Sequence, residues 1–217
     1  MSKYLIATFG WTEQFVLSSI LKYGIEAGDK IILIVPDRKD ERSEIVLRDF
    51  ESFLEKYGER IELKIQKIPV GSFEEAVSKI SEIFFQLLSR RPEKVIVNLS
   101  GGMRILILAT YTAVQLTCPK DTVIELETED RSKCYHIPNL SLKNFIKLTE
   151  TDQKILQILK TGGANTIRLL RELQIPKSTL HKRLRELKSK GLIHLEKKGR
   201  TLHASVTTLG KLLSTRL

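Results

Sequence analysis

Four short runs of β-branched and apolar residues, KYLIATF (3–9), KIILIVP (30–36), IELKIQKI (61–68) and KVIVNL (94–99), alternate with segments whose apolar residues recur at helical spacing. This alternation restricts the fold more than any other feature. Strands that are apolar throughout need cover on both faces, and helices joining parallel strands provide it. The helical period is clearest in SFEEAVSKISEIFFQLL, where Phe73, Ala76, Val77, Ile80, Ile83, Phe84, Leu87 and Leu88 keep one stripe and Ser72 with Glu75 has the form of a capping box. Two less regular runs, TVIELET and KCYHIP, add a final pair of strands. The fold class that follows is α/β: a doubly wound, mostly parallel, Rossmann-like sheet. Such sheets bind ligands beyond the carboxyl ends of their strands, where the strand order reverses. A flavodoxin-like order would set the first and fourth strands side by side there, bringing TFGWTEQ (8–14) next to NLSGGMR (98–104).

After Pro138 the pattern changes. The expected division is a sheet domain over residues 1–138, a connector over 139–150 (NLSLKNFIKL, with some helical character) and a second module over 151–217. That module reads as helices at 151–161, 165–174 and 177–190, a hairpin in LIHLEKKGRTLHASV and a last helix in TTLGKLLSTRL, with Thr149 or Thr151 as the first cap. This is the plan of a winged helix-turn-helix. Pro176 suits the start of the third helix, where Leu180, Leu184 and Leu187 form an inward stripe opposite Ser178, Lys182, Arg185 and Ser189. Lys182 and Arg185 are placed to reach guanine edges or phosphates, Ser178 and Thr179 to position the first turn, and Lys177 and Arg183 to add charge beside them. Lys197, Lys198 and Arg200 surround Gly199 at the hairpin tip, a place for phosphate or minor-groove contact.

The distribution of charge supports DNA over a merely solvated face. Residues 148–217 hold 15 Lys+Arg against 5 Asp+Glu, whereas residues 1–147 are balanced at 21 against 21, so the whole excess of +10 lies in the second module.

NLSGGMR poses a separate question, because adjacent glycines cost backbone entropy and imply either an unusual conformation or a close approach. A ligand is one candidate for what approaches, and tight packing of strand on helix is the other. The strand-loop-helix junction would offer the amides of Gly101, Gly102 and Met103 to an anion, with Arg104 folding back onto it. Ser100 would cap the helix or touch the ligand, and Asn98 would bond a base or hold the loop. In the neighbouring loop Trp11, the sole tryptophan, either stacks on a base or plugs an interface or core. No GxxxxGK[ST] occurs and no GxGxxG follows the first strand, which disfavours P-loop hydrolysis and dinucleotide chemistry. Cys118, Cys134 and four scattered histidines do not form a metal site. The charged stretch DRKDERSE reads as a solvated rim. With no apolar span and no signal-like amino terminus, a soluble cytoplasmic protein is expected.

The polar first loop, the NLSGGMR turn after the fourth strand and the trailing winged helix together resemble the CRISPR-associated Rossmann-fold (CARF) transcription regulators of archaea, of the Csa type, over essentially the whole chain. The resemblance implies a homodimer whose paired sheet domains bind a cyclic oligoadenylate, cyclic tetra-adenylate foremost, across the two-fold axis. It implies winged helices that bind double-stranded DNA at CRISPR promoters or the array leader. Carried over by position, Thr8, Gly10, Trp11, Asn98, Ser100, Gly101, Gly102, Met103 and Arg104 would line the ligand site; no cofactor, metal or catalytic residue is expected. Two alternatives remain: metal-independent cleavage of the ring, for which neither loop supplies a histidine or lysine base, and sensing of another nucleotide-like metabolite.

Overall fold

The structure is a computed structural model describing residues 2–38, 40–56, 61–118, 120–142, 147–199 and 201–214. It divides into two compact units, residues 1–143 and 144–217. The first unit alternates β1 (Lys3–Thr8), α1 (Gln14–Tyr23), β2 (Lys30–Pro36), α2 (Glu41–Lys56), β3 (Glu62–Ile68), α3 (Phe73–Leu88), β4 (Lys94–Asn98), α4 (Arg104–Thr117) and β5 (Val123–Glu127), then adds β6 (Cys134–His136). Its sheet runs β3-β2-β1-β4-β5-β6, parallel except for β6.

Position in that order explains strand composition. β2 is buried at every residue from Ile31 to Val35, whereas the edge strand β6 is exposed throughout. On one face Leu5, Ala7, Ile31, Leu33 and Val35 pack against Val16 and Ile20 of α1 and Phe50 and Leu54 of α2. The alternate residues face α3 and α4, which pack on each other. Ser72 caps α3 by accepting the Glu75 amide at 3.4 Å.

β1 and β4 are neighbours, as expected, but the order is the Rossmann one and not flavodoxin-like: a flavodoxin-like order places the third strand beside the first, whereas here α3 carries the chain across β1 to its other side. Ala7 pairs with Asn98, so both strands release their loops at the same level. The start of the expected connector belongs to the first unit: Gln115 donates to the Pro138 carbonyl and accepts the Leu140 amide, and the Ser141 hydroxyl donates to the Cys118 carbonyl.

The second unit comprises α5 (Glu150–Lys160), β7 (Ala164–Asn165), α6 (Thr166–Leu173), α7 (Lys177–Ser189), β8 (Ile193–Lys198), β9 (Thr201–Val206) and α8 (Thr208–Ser214), with a small sheet in the order β7-β9-β8. Thr149 and Asp152 form a reciprocal capping box at α5. β7 has no counterpart in the sequence reading, because two residues are too few to show a period; Asn165 ends it and caps α6. Among the described residues no helix is long and apolar enough to cross a membrane.

Candidate functional site

The two bends meet backbone to backbone. A β-carbon on Gly10 would lie 2.8 Å from Gly102 Cα; one on Gly101, 3.0 Å from the Thr8 carbonyl oxygen; one on Gly102, 2.9 Å from the Phe9 carbonyl oxygen. Gly102 also sits at φ +89°, where side chains are strained. The close approach that NLSGG requires is therefore made by the first loop itself. Backbone fills the space between the bends and leaves no room there for a ligand.

The helix begins one step later than its expected donors. Met103 is the N-cap of α4, at φ −68° and ψ 137°, and offers no side-chain bond, so the first-turn amides belong to Arg104 and Ile105 rather than to Gly101 and Gly102. Arg104 is exposed and Met103 half-buried. Ser100 does not cap the helix: its hydroxyl accepts the Glu127 amide at 2.8 Å, fastening the bend to β5.

Beneath the bends lies a polar floor with no sequence signal, since its members are scattered between residues 8 and 125. Asn98 is fully buried; its amide nitrogen donates to the Phe15 carbonyl and the Ser19 hydroxyl, and its oxygen accepts the Ser100 amide at 2.8 Å. Of its two expected roles, base contact or loop support, burial selects support. Thr8, 1% exposed with its hydroxyl toward the Asn98 carbonyl, is likewise support and not lining. Glu125 accepts from Ser19, from Lys22 Nζ at 2.9 Å and from the Tyr23 hydroxyl at 2.8 Å. Burial favours its neutral form, but these hydrogen bonds and the Lys22 charge outweigh burial and hold the carboxyl below its ordinary value. Burial, then the Glu125 bond, pushes the Tyr23 hydroxyl up to about 12.

Asp40 and the first turn of α2 join the rim. Trp11, 58% exposed, donates from its indole nitrogen to Asp40 Oδ2 at 3.2 Å, and the Arg42 guanidinium lies 4.9 Å from its ring centroid. Ser43 donates its hydroxyl to the Gly10 carbonyl at 3.1 Å. Part of the stretch read as a solvated rim thus holds the first loop.

In the second unit, Leu180, Leu184 and Leu187 are wholly buried while Lys177, Ser178, Lys182 and Arg185 are exposed and Thr179 half-buried, giving α7 one packed and one open face. Arg183 belongs to neither. It donates to Glu186 at 2.8 Å and lies 4.0 Å from the buried Asp152 carboxylate, tying α7 to α5. Lys197 is exposed near the hairpin tip, where Lys198 pairs with Thr201 along the backbone. The Lys198 side chain and Arg200 lie outside the described residues.

Among solved structures, Enterococcus italicus Csm6, bound to cyclic hexa-2'-fluoro-hexa-dAMP, is 12% identical over 73% of this chain and 45% of its own, with a TM-score of 0.51. A type III CRISPR defence DNA nuclease activated by cyclic oligoadenylate is 17% identical over 63% of this chain and 20% of its own, with a TM-score of 0.46. The zinc-responsive MarR family member ZitR of Lactococcus lactis is 26% identical over 31% of this chain and 50% of its own, with a TM-score of 0.29. In each case the match spans half or less of the other protein. No curated protein sequence matches the chain. Residues 148–194 match the winged helix-turn-helix DNA-binding family. Residues 3–138, well over half of the sequence, match the Csa3 CRISPR-associated Rossmann-like domain, and the chain belongs to that family.

Proposed function

We propose that this regulator senses a cyclic oligoadenylate, cyclic tetra-adenylate foremost, on the paired bends of a homodimer, and that the occupied dimer changes its grip on CRISPR promoters or the array leader. The observation that carries this reading is the glycine contact: Gly10, Gly101 and Gly102 bring two loops together beside the first turn of α4, whose amides no Met103 side chain caps. Such a rim presents fixed N–H donors and the Arg104 cation to a phosphate lying above it.

Symmetry supplies the rest. Arg104 and Leu108 follow one another along the exposed side of α4, and Leu108 is 58% exposed. A second copy docking on this side would face one set of bends with another, the same half-site twice, as a ring of repeated nucleotides needs. A dimer also matches a palindromic operator through two α7 helices. Leu108→Arg is expected to yield a monomer in sedimentation and to weaken operator binding. Cleavage of the ring gains no support from Ser100, whose hydroxyl is engaged with the Glu127 amide.

The deciding experiment measures operator affinity of the full chain with and without saturating cyclic tetra-adenylate, beside an Arg104→Ala variant. A shift in the first and its loss in the second is the expected result. Unchanged affinity, DNA bending and dimer shape would dispose of the coupling. A response to a different nucleotide alone would move the reading to another metabolite.

A further inference from the structure

The surroundings of Trp11 go beyond what a loop needs in order to fold. Tryptophan is normally well covered, yet 58% of this one is exposed beside the candidate site. It is not loose. Asp40 uses one carboxylate oxygen, Oδ1, to accept the Ser43 amide at 3.0 Å at the start of α2, and the other, Oδ2, to accept the indole N–H at 3.2 Å. Ser43 in turn holds the Gly10 carbonyl, and the Arg42 guanidinium lies over the indole at 4.9 Å. Asp40 and Arg42 thus fix the edge and one face of a single exposed aromatic ring, and Ser43 fixes the carbonyl of the residue before it. Held rigid before binding, such a ring loses little freedom when a flat partner stacks on it.

The adjoining recess offers no rival mode. It is lined by Pro36, Asp37, Arg38, Ser43 and Lys67 among others, and its volume is about 90 Å³. That is far below the roughly 300 Å³ at which ligand pockets begin, so a base is better stacked on the surface than inserted. Every base has a π-face, and stacking on an aromatic side chain is a general means of holding one.

Resting on the sensing reading above, we propose that Asp40 and the first turn of α2 form the nucleobase wall of that site: Asp40 is a positioning residue that presents the Trp11 ring, and an adenine of the ligand stacks on the ring surface that Arg42 leaves open. The backbone rim at Gly102 and Arg104 then holds phosphate, while the wall holds a base. The division of labour makes the wall a determinant of ligand class, favouring nucleotides over simple anions.

Trp11 is the single tryptophan of the chain, so its emission reports this place alone. The full chain is titrated with radiolabelled cyclic tetra-adenylate, following retention by equilibrium dialysis and tryptophan emission in parallel. Retention and quenching are expected to share one midpoint. Trp11→Ala, at a position 58% exposed, should weaken retention by on the order of tenfold, the scale of one lost base–aromatic stack, and Trp11→Phe by less. Asp40→Ala should lower the emission anisotropy of the unliganded chain and weaken retention severalfold, with the far-ultraviolet dichroism unchanged. Retention without quenching, equal in wild type and Trp11→Ala, overturns the wall while leaving sensing on the glycine bends intact. Absence of retention by the wild type removes the sensing reading and the wall together.

Discussion

Around the first candidate site, polar groups are engaged with one another: Asn98 with Ser19 and Ser100, Glu125 with Lys22 and Tyr23, Trp11 with Asp40. In the second unit, Lys177, Lys182, Arg185 and Lys197 stand exposed on a module that carries all the excess charge. The contrast separates two kinds of recognition. On the proposed reading, a rim built from abutting backbones holds its ligand with fixed amide donors and one cation, Arg104, and tolerates little geometric change. On the same reading, a cationic helix face and wing would meet a charged backbone first and lose affinity steeply as salt rises.

The sharpest break of this contrast comes from one packing change in each unit. Leu184→Ala empties a fully buried position and should cost about 2–5 kcal/mol in denaturant unfolding, abolishing DNA binding with it. Gly102→Ala adds a single carbon, yet it forces a side chain into φ +89° against the Phe9 carbonyl; about 2–4 kcal/mol is expected from strain and overpacking. Thermal unfolding checks this, and an unchanged midpoint would mean that the bends do not depend on their contact.

Smaller effects separate base reading from charge. Lys182→Ala or Arg185→Ala should lose about 1–3 kcal/mol at the preferred operator and less on random DNA; equal losses on both would assign them to phosphate. Lys197→Ala should weaken binding evenly across sequences and reduce the logarithmic salt slope by about 1, measured by titration at several salt concentrations.

The smallest effect is one of pH, and it belongs to the first unit alone. Glu125 is held below its ordinary value of 4.5, so the folded state binds fewer protons than the unfolded state as that range is entered. Its contribution to stability is complete above the unfolded value and is lost as pH falls through the folded one. Glu125→Gln should flatten the acid side of the stability profile for this unit.

Much of the fold was legible because its causes are local. Helices expected at 151–161, 165–174 and 177–190 appear at Glu150–Lys160, Thr166–Leu173 and Lys177–Ser189, each end within one residue, because leucine stripes and caps such as Thr149 and Asn165 act within a turn or two. The candidate site was legible only in outline. The glycines marked a close approach but not its partner, which proved to be the other loop. Arg183 looked like its neighbours on α7, and only the packing of α5 turned it toward Asp152. The Glu125 floor and the Asp40 tether escaped altogether, since Ser19 and Glu125 are 106 positions apart and no local period joins them.

By itself, then, the amino-acid order determined the alternation of strand and helix, the break after the sheet and the side of α7 that packs, because periods of two and 3.6 are set by backbone geometry. Tertiary structure alone decided the register in which β4 meets β1, with Ala7 opposite Asn98. That register brings two distant bends into contact and buries the polar atoms beneath them, a result of chain crossover and side-chain packing that no short stretch of sequence encodes.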